Sequence, residues 1–233
     1  SICISTMPDI LLTLSFMIFL FLASDKEKYE PYAYLVAGAL SFAVGPLVAP
    51  LLTVGMPLML GILLRTRKDK DWRSWVHILF CTSNWVIGYV GSILIKQILA
   101  YCLIRTSSGS GTEQMVMYFA PEKGLAERLD MLRYCFMGLI DPWNVKIPFL
   151  FLILILCLVL IKKRGFSLYT GFFQLLFLSF YPIGWIMIVT EHSKHFFVAN
   201  ILSIFIYGIL NALFFSIRAG NEEKAGKGKT LVA

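Results

Sequence analysis

The sequence predicts an all-α fold, a polytopic integral membrane helical bundle of about seven transmembrane helices. Three observations carry this expectation. Of the 233 residues, 58% are hydrophobic and only 15% charged, with a mean hydropathy of +0.75, whereas a soluble globular chain averages about 45–50% apolar and about 25% charged. The apolar residues are gathered into six long runs. The basic residues stand in blocks beside those runs, where charge works as a topology signal.

The first run, Ile10 to Ala23, has 14 residues, and a spanning helix needs at least about 17. Its flank, Pro8 and Asp9, supplies a further turn. The second, Tyr32 to Leu64, has 33 residues and is interrupted at Gly45, Pro46 and Pro50. Proline removes a backbone donor and clashes with the preceding turn, so the segment GPLVAP is expected to break the run into two short helices joined as a hairpin, which is favoured over one kinked helix. The third, His77 to Ile104, carries Asn84, Trp85, Tyr89, Lys96 and Gln97 and reads as a span with a polar face. Ile147 to Ile161 is short again, with Pro148 in its first turn, where proline is tolerated. Phe166 to Val189 and Phe196 to Ile217, 24 and 22 residues long, meet the length of a span outright. No Asp or Glu falls inside any run so bounded.

Threading these runs through a bilayer tests the reading. With Arg65, Arg67, Lys68, Lys70 and Arg73 in the cytoplasm, the block Lys162, Lys163 and Arg164 and the tail lysines 224, 227 and 229 fall on the same side. That is the arrangement the positive-inside rule requires. Asp25 to Glu30 then lies inside, with a mixed charge that says little, and the N-terminus lies outside. The sequence opens on Ser1 without a basic n-region or a cleavage site. Helices upstream of Ser1 are therefore expected, with this chain as the C-terminal portion of a longer protein. Residues 1–217 read as a single transmembrane domain and 218–233 as a disordered cytoplasmic tail.

Between the third and fourth runs, residues 105–146 form a polar external loop. SSGSG at 107–111 is flexible, while apolar residues at 125, 129, 132, 136 and 139 recur at helical spacing and predict a short amphipathic helix on the outer surface. The net charge of +7 lies in blocks rather than in a basic stripe interleaved with exposed aromatics, so nucleic acid is not an expected partner. The five cysteines include no CxxC pair and read as buried structural thiols, with no metal centre expected of them. No Walker A, GxSxG or HExxH motif occurs, and no cofactor is expected.

Four polar pieces meet at the external face on this threading: the first nine residues, GPLVAP, the 105–146 loop and the connection TEHSKHF. The last is the best single candidate for a site. His192 and His195 fit a solvated interfacial turn, a phosphate- or sugar-binding loop, or a two-ligand metal contact that lacks its third ligand. Arg105 is placed for bidentate phosphate recognition and equally for anchoring at lipid headgroups. Lys96, near the outer end of its helix, reads as snorkelling to the interface. Asp141, in IDPWN, reads as a cap or turn residue.

The stretch GALSFAVGPLVAPLLTVGMPL, the helix carrying Trp85, Gly88, Tyr89 and Lys96 that leads to Arg105, Thr106 and Ser107, and the run YPIGWIMIVTEHSKHFF resemble uncharacterised polytopic bacterial membrane proteins similar to the GT-C class of glycosyltransferases. The resemblance covers most of the chain in three scattered blocks. It implies an enzyme of the bacterial plasma membrane that takes a sugar from a polyprenyl-phosphate carrier at the extracytoplasmic face. It further implies that Arg105, Lys96, His192 and His195 bind the donor phosphate, and that the catalytic acid lies in an external loop upstream of Ser1. The rival expectations are a transporter or flippase, which discontinuous helices would favour, and a non-catalytic membrane scaffold.

Overall fold

An α-helix satisfies the backbone groups of an apolar run within the run itself, and helices are what form among the described residues. The computed structural model describes residues 2–23, 27–44, 51–68, 75–104, 124–140, 155, 158, 170–189, 207–214 and 216, and among them there is no strand. The elements are α1 (Ile2–Leu22), a 3₁₀ turn (Glu27–Tyr29), α2 (Glu30–Val44), α3 (Leu52–Lys68), α4 (Trp75–Ile104), α5 (Leu125–Ile140), α6 (Thr170–Ser179) and α7 (Tyr181–Ile188). Residues 207–214 are also helical.

The long second run divides into α2 and α3, as its prolines predict; GPLVAP itself lies outside the described residues. The two helices are antiparallel. Thr53 donates to Ser41 Oγ at 3.1 Å near the break, and Arg65 pairs with Glu30 at the other end. α4 runs parallel to α2, with His77 beside Glu30 at one end and Tyr89 against Phe42 toward the other, ring centroids 5.7 Å apart. These are the relative directions the threading uses.

Small residues set the closeness of the α2–α4 contact. A Cβ on Gly38 would stand 2.1 Å from the Trp85 carbonyl oxygen, and one on Gly88 would stand 2.0 Å from that of Leu35. The two backbones therefore meet where neither carries a side chain, the way helices pack when lipid supplies no hydrophobic drive. Around this crossing Tyr34, Ala37, Phe42, Val54, Met59, Ile62, Ile78 and Trp85 form the core. Trp85 Nε1 donates to Thr53 Oγ1 at 3.0 Å, which ties α4 to α3 through polar groups whose bonds are complete.

Several polar side chains on the helices bond back to their own backbone. Thr13, Thr82, Asn84 and Ser179 each donate to the carbonyl four residues earlier, at 2.7 to 2.9 Å, so they cost the helix little in an apolar setting. Ser179 does so at a bend. Pro182 has no N–H to offer the preceding turn, and the run predicted as one helix from 166 to 189 is kinked at Phe180 between α6 and α7.

Outward faces are apolar. Leu79, Phe80, Val86, Ile87, Val90, Leu94, Ile98 and Leu103 of α4 are exposed, and only 28% of that helix's most apolar window is buried. Two described helices are long and apolar enough to cross a membrane, Trp75–Leu103 and Gly171–Ile188, while Met7–Leu22 and Leu52–Arg65 are shorter apolar helices. The run 147–161 and the tail 218–233 lie outside the described residues, apart from positions 155 and 158.

Three expectations need correction. α1 begins at Ile2, so Pro8 and Asp9 lie inside it, and Asp9 is fully buried; the absence of acids from the helix interiors therefore fails at this position. Glu30 is no loop charge but the first residue of α2, and it is buried. The helix foreseen in the external loop exists as α5, but Leu125 and Leu129 are exposed and the buried pair is Met131 and Cys135, packed on Ile186 and Trp185 of α7. Arg128 turns the helix that way by donating to the carbonyls of Met187 and Ile188, which the end of α7 leaves without helical partners.

Candidate functional site

At the end of the bundle where α2 starts, α3 ends and α4 starts, the side chains of Glu30, Arg65, His77 and Cys81 converge. A carboxylate is favoured at a helix N-terminus and a cation at a C-terminus, so Glu30 in the first turn of α2 and Arg65 in the last turn of α3 suit their positions and pair with each other. His77 and Cys81 are four residues apart on α4, hence on one face. His77 Nε2 lies 3.2 Å from Glu30 Oε2 and 3.3 Å from Cys81 Sγ. The side chains of Glu30, Arg65 and His77 are 9%, 12% and 17% exposed, and Cys81 is fully buried.

The geometry excludes one familiar reading. In a cysteine nucleophile with a histidine base, the thiol and the orienting carboxylate engage opposite ring nitrogens. Here both crowd Nε2. One ring nitrogen offers either a proton or a lone pair, so it cannot donate to Glu30 and accept from Cys81 together. What the arrangement presents is a carboxylate oxygen, an imidazole nitrogen and a sulfur, all within 4.8 Å of one another.

No family model, curated protein or solved structure matches this chain. Its site is therefore read from its own residues.

Beside the cluster is a cavity of about 550 Å³ lined by Phe19, Leu20, Leu22 and Ala23 of the α1 end, Tyr29, Glu30, Gly61, Leu64 and Arg65. Its walls are apolar and its charge is confined to the Glu30–Arg65 pair, the make-up of pockets that hold an apolar body with one polar end.

Of the residues singled out from the sequence, Arg105, His192 and His195 lie outside the described residues, as does Asp141. Lys96 is exposed on α4, with Nζ 5.6 Å from the Phe42 ring centroid. That contact places it toward the opposite end of α2 and α4 from the Glu30 cluster. Sequence reasoning missed the cluster because Glu30 looked like one charge in a mixed linker. Its signals were an acid followed by Pro31 at the head of an apolar run, and His77 and Cys81 at helical spacing.

Proposed function

We propose that this chain is an integral protein of the bacterial plasma membrane, crossing the bilayer about seven times with its basic blocks inside, that handles a lipid-borne anionic substrate. The observation that carries the reading is the cavity at the α1–α3 end, apolar on Phe19, Leu20, Leu22 and Leu64 and charged at Arg65 and Glu30. A molecule with a hydrocarbon tail and a phosphate head matches both parts. The uncovered apolar face of α4 supports the membrane setting, since contiguous exposed apolar surface of that extent needs lipid or protein against it.

The finer reading is glycosyl transfer from a polyprenyl-phosphate-linked sugar, and it rests on the resemblance to GT-C enzymes. On the proposed threading the cavity lies at the cytoplasmic end, because Arg65 belongs to the first basic block. It is then an entry or holding site for the lipid, and transfer belongs to the external loops with Arg105, His192 and His195.

The experiment is to purify the protein into nanodiscs and identify the lipids that remain bound, for wild type and for Gly61→Leu, which fills the cavity. Retention of a polyprenyl or other phosphate-bearing lipid that is lost in Gly61→Leu is the expected result, and identical lipid content in both sinks the proposal. For the finer reading, Arg105→Ala or His195→Ala abolishes glycan transfer by the intact protein; unchanged transfer removes those roles.

A further inference from the structure

We propose that Glu30, His77 and Cys81 form a binding site for a zinc-class divalent transition-metal ion at the junction of α2, α3 and α4. The proposal goes beyond the lipid reading and does not depend on it. A tetrahedral ion with bonds of about 2.0–2.3 Å holds its ligand atoms about 3.3–3.7 Å apart. Two of the three separations, 3.2 Å between carboxylate oxygen and imidazole nitrogen and 3.3 Å between nitrogen and sulfur, are near that spacing; the oxygen and the sulfur lie within 4.8 Å of one another, and side-chain rotation of Glu30 or Cys81 closes that pair on the ion.

The donor types choose the class of ion. Sulfur and imidazole together favour zinc, cobalt and their neighbours, whereas magnesium and calcium require an all-oxygen shell. On binding, the Nε2 nitrogen gives its lone pair to the metal, the thiol gives up its proton and binds as thiolate, and the carboxylate oxygen completes the set. One proton is released to solvent for each ion bound at neutral pH, as thiol ligation requires.

Two neighbours make this a built site. Arg65 pairs with Glu30 Oε2, the oxygen that faces His77, so the ion takes the second lone pair of that oxygen or the neighbouring Oε1, and Arg65 stays as the outer partner that metal-binding carboxylates usually have. Tyr34 stands one turn after Glu30 on α2; it is fully buried and its hydroxyl has no hydrogen-bond partner among the described residues. Glu30 also lines the cavity, which supplies the path by which an ion and a fourth, exchangeable ligand enter. Three protein ligands with one open position is the pattern of zinc sites that act on substrates.

The probe is cobalt(II), whose thiolate complexes absorb by sulfur-to-metal charge transfer. Titrating the purified full chain in detergent should give that band, saturating at one cobalt per chain and bleached by equimolar zinc. Cys81→Ser should abolish it, and His77→Gln and Glu30→Gln should each weaken cobalt binding by about 100-fold, the upper end of what even outer-shell losses cost. Arg65→Lys should keep the band. Helicity and monodispersity of every variant are measured alongside. Should Cys81→Ser fail to fold, a variant with Cys3, Cys102, Cys135 and Cys157 changed to serine must retain the full band. No band with the unmutated protein, a band that survives Cys81→Ser, or its loss from the variant keeping Cys81 alone each overturns the proposal.

Discussion

Replacing Gly38 with alanine tests whether α2 and α4 are held together backbone to backbone. The added methyl would lie 2.1 Å from the Trp85 carbonyl oxygen, 2.9 Å from its carbon and 3.0 Å from the Tyr89 nitrogen. All three are main-chain atoms of α4, so no side chain can swing aside. Ordinary contact begins at 3.4 Å, and the helices must part by about 1.3 Å, a gap wide enough to forfeit half or more of the dispersion energy of each contact across the seam. Overpacking of this kind costs about 1–3 kcal/mol, and the upper end applies because the obstacle is rigid. Gly88→Ala meets the Leu35 carbonyl at 2.0 Å and should cost as much. Since one separation relieves both clashes, the double variant should fall short of the sum by about 1 kcal/mol or more, the signature of coupled neighbours. Gly91→Ala, with nothing within 4 Å, is the control and should gain up to about 1 kcal/mol of helix propensity. Reversible unfolding in mixed micelles, followed by helicity, measures all four. Gly38→Ala as stable as Gly91→Ala, or strict additivity with Gly88→Ala, would refute the close crossing.

Breaking the Glu30–Arg65 pair from one side, by Arg65→Met, should cost about 3–5 kcal/mol in the same unfolding assay, because it strands a carboxylate that is mostly buried; Glu30→Gln with Arg65→Met should recover much of that loss. Arg128→Met leaves the Met187 and Ile188 carbonyls without their donor and should loosen α5 from α7 by about 1–3 kcal/mol, read as faster hydrogen exchange across 125–140 with α2–α4 unchanged. Burial pushes the Cys135 thiol up to about 11. Raising an acid's pKa keeps it protonated to higher pH, and the thiolate is the reactive form, so in a variant keeping Cys135 alone maleimide labelling should be slow at pH 8 and accelerate only toward pH 11 or on unfolding. Labelling at pH 8 as fast as that of a free cysteine peptide would contradict the burial of this side chain under α7.

Long apolar runs, their proline breaks and the helical spacing of residues 125–139 are local properties, and local properties are legible in sequence. The all-helical class, the division at 45–50 and the existence of α5 follow from chain chemistry that holds whatever the neighbours are: unpaired backbone groups, a missing proline N–H, a repeat near 3.6. Which side of α5 is buried was not legible, because Arg128 reaching the end of α7 sets its rotation and that partner is about sixty residues away. The site was invisible for the same reason. Glu30 and His77 are 47 residues apart and Glu30 and Arg65 are 35 apart; each has a plain interfacial reading alone, and nothing local records that they share a face.

By itself, then, the sequence determined a chain of apolar helices, since hydropathy acts residue by residue. Only the tertiary structure decided that Gly38 and Gly88 bring α2 and α4 into backbone contact, that Asp9 is buried, and that a carboxylate, an imidazole and a thiol meet beside an apolar cavity. Those outcomes depend on the directions and separations of helices, which are fixed by steric fit between surfaces far apart in the chain.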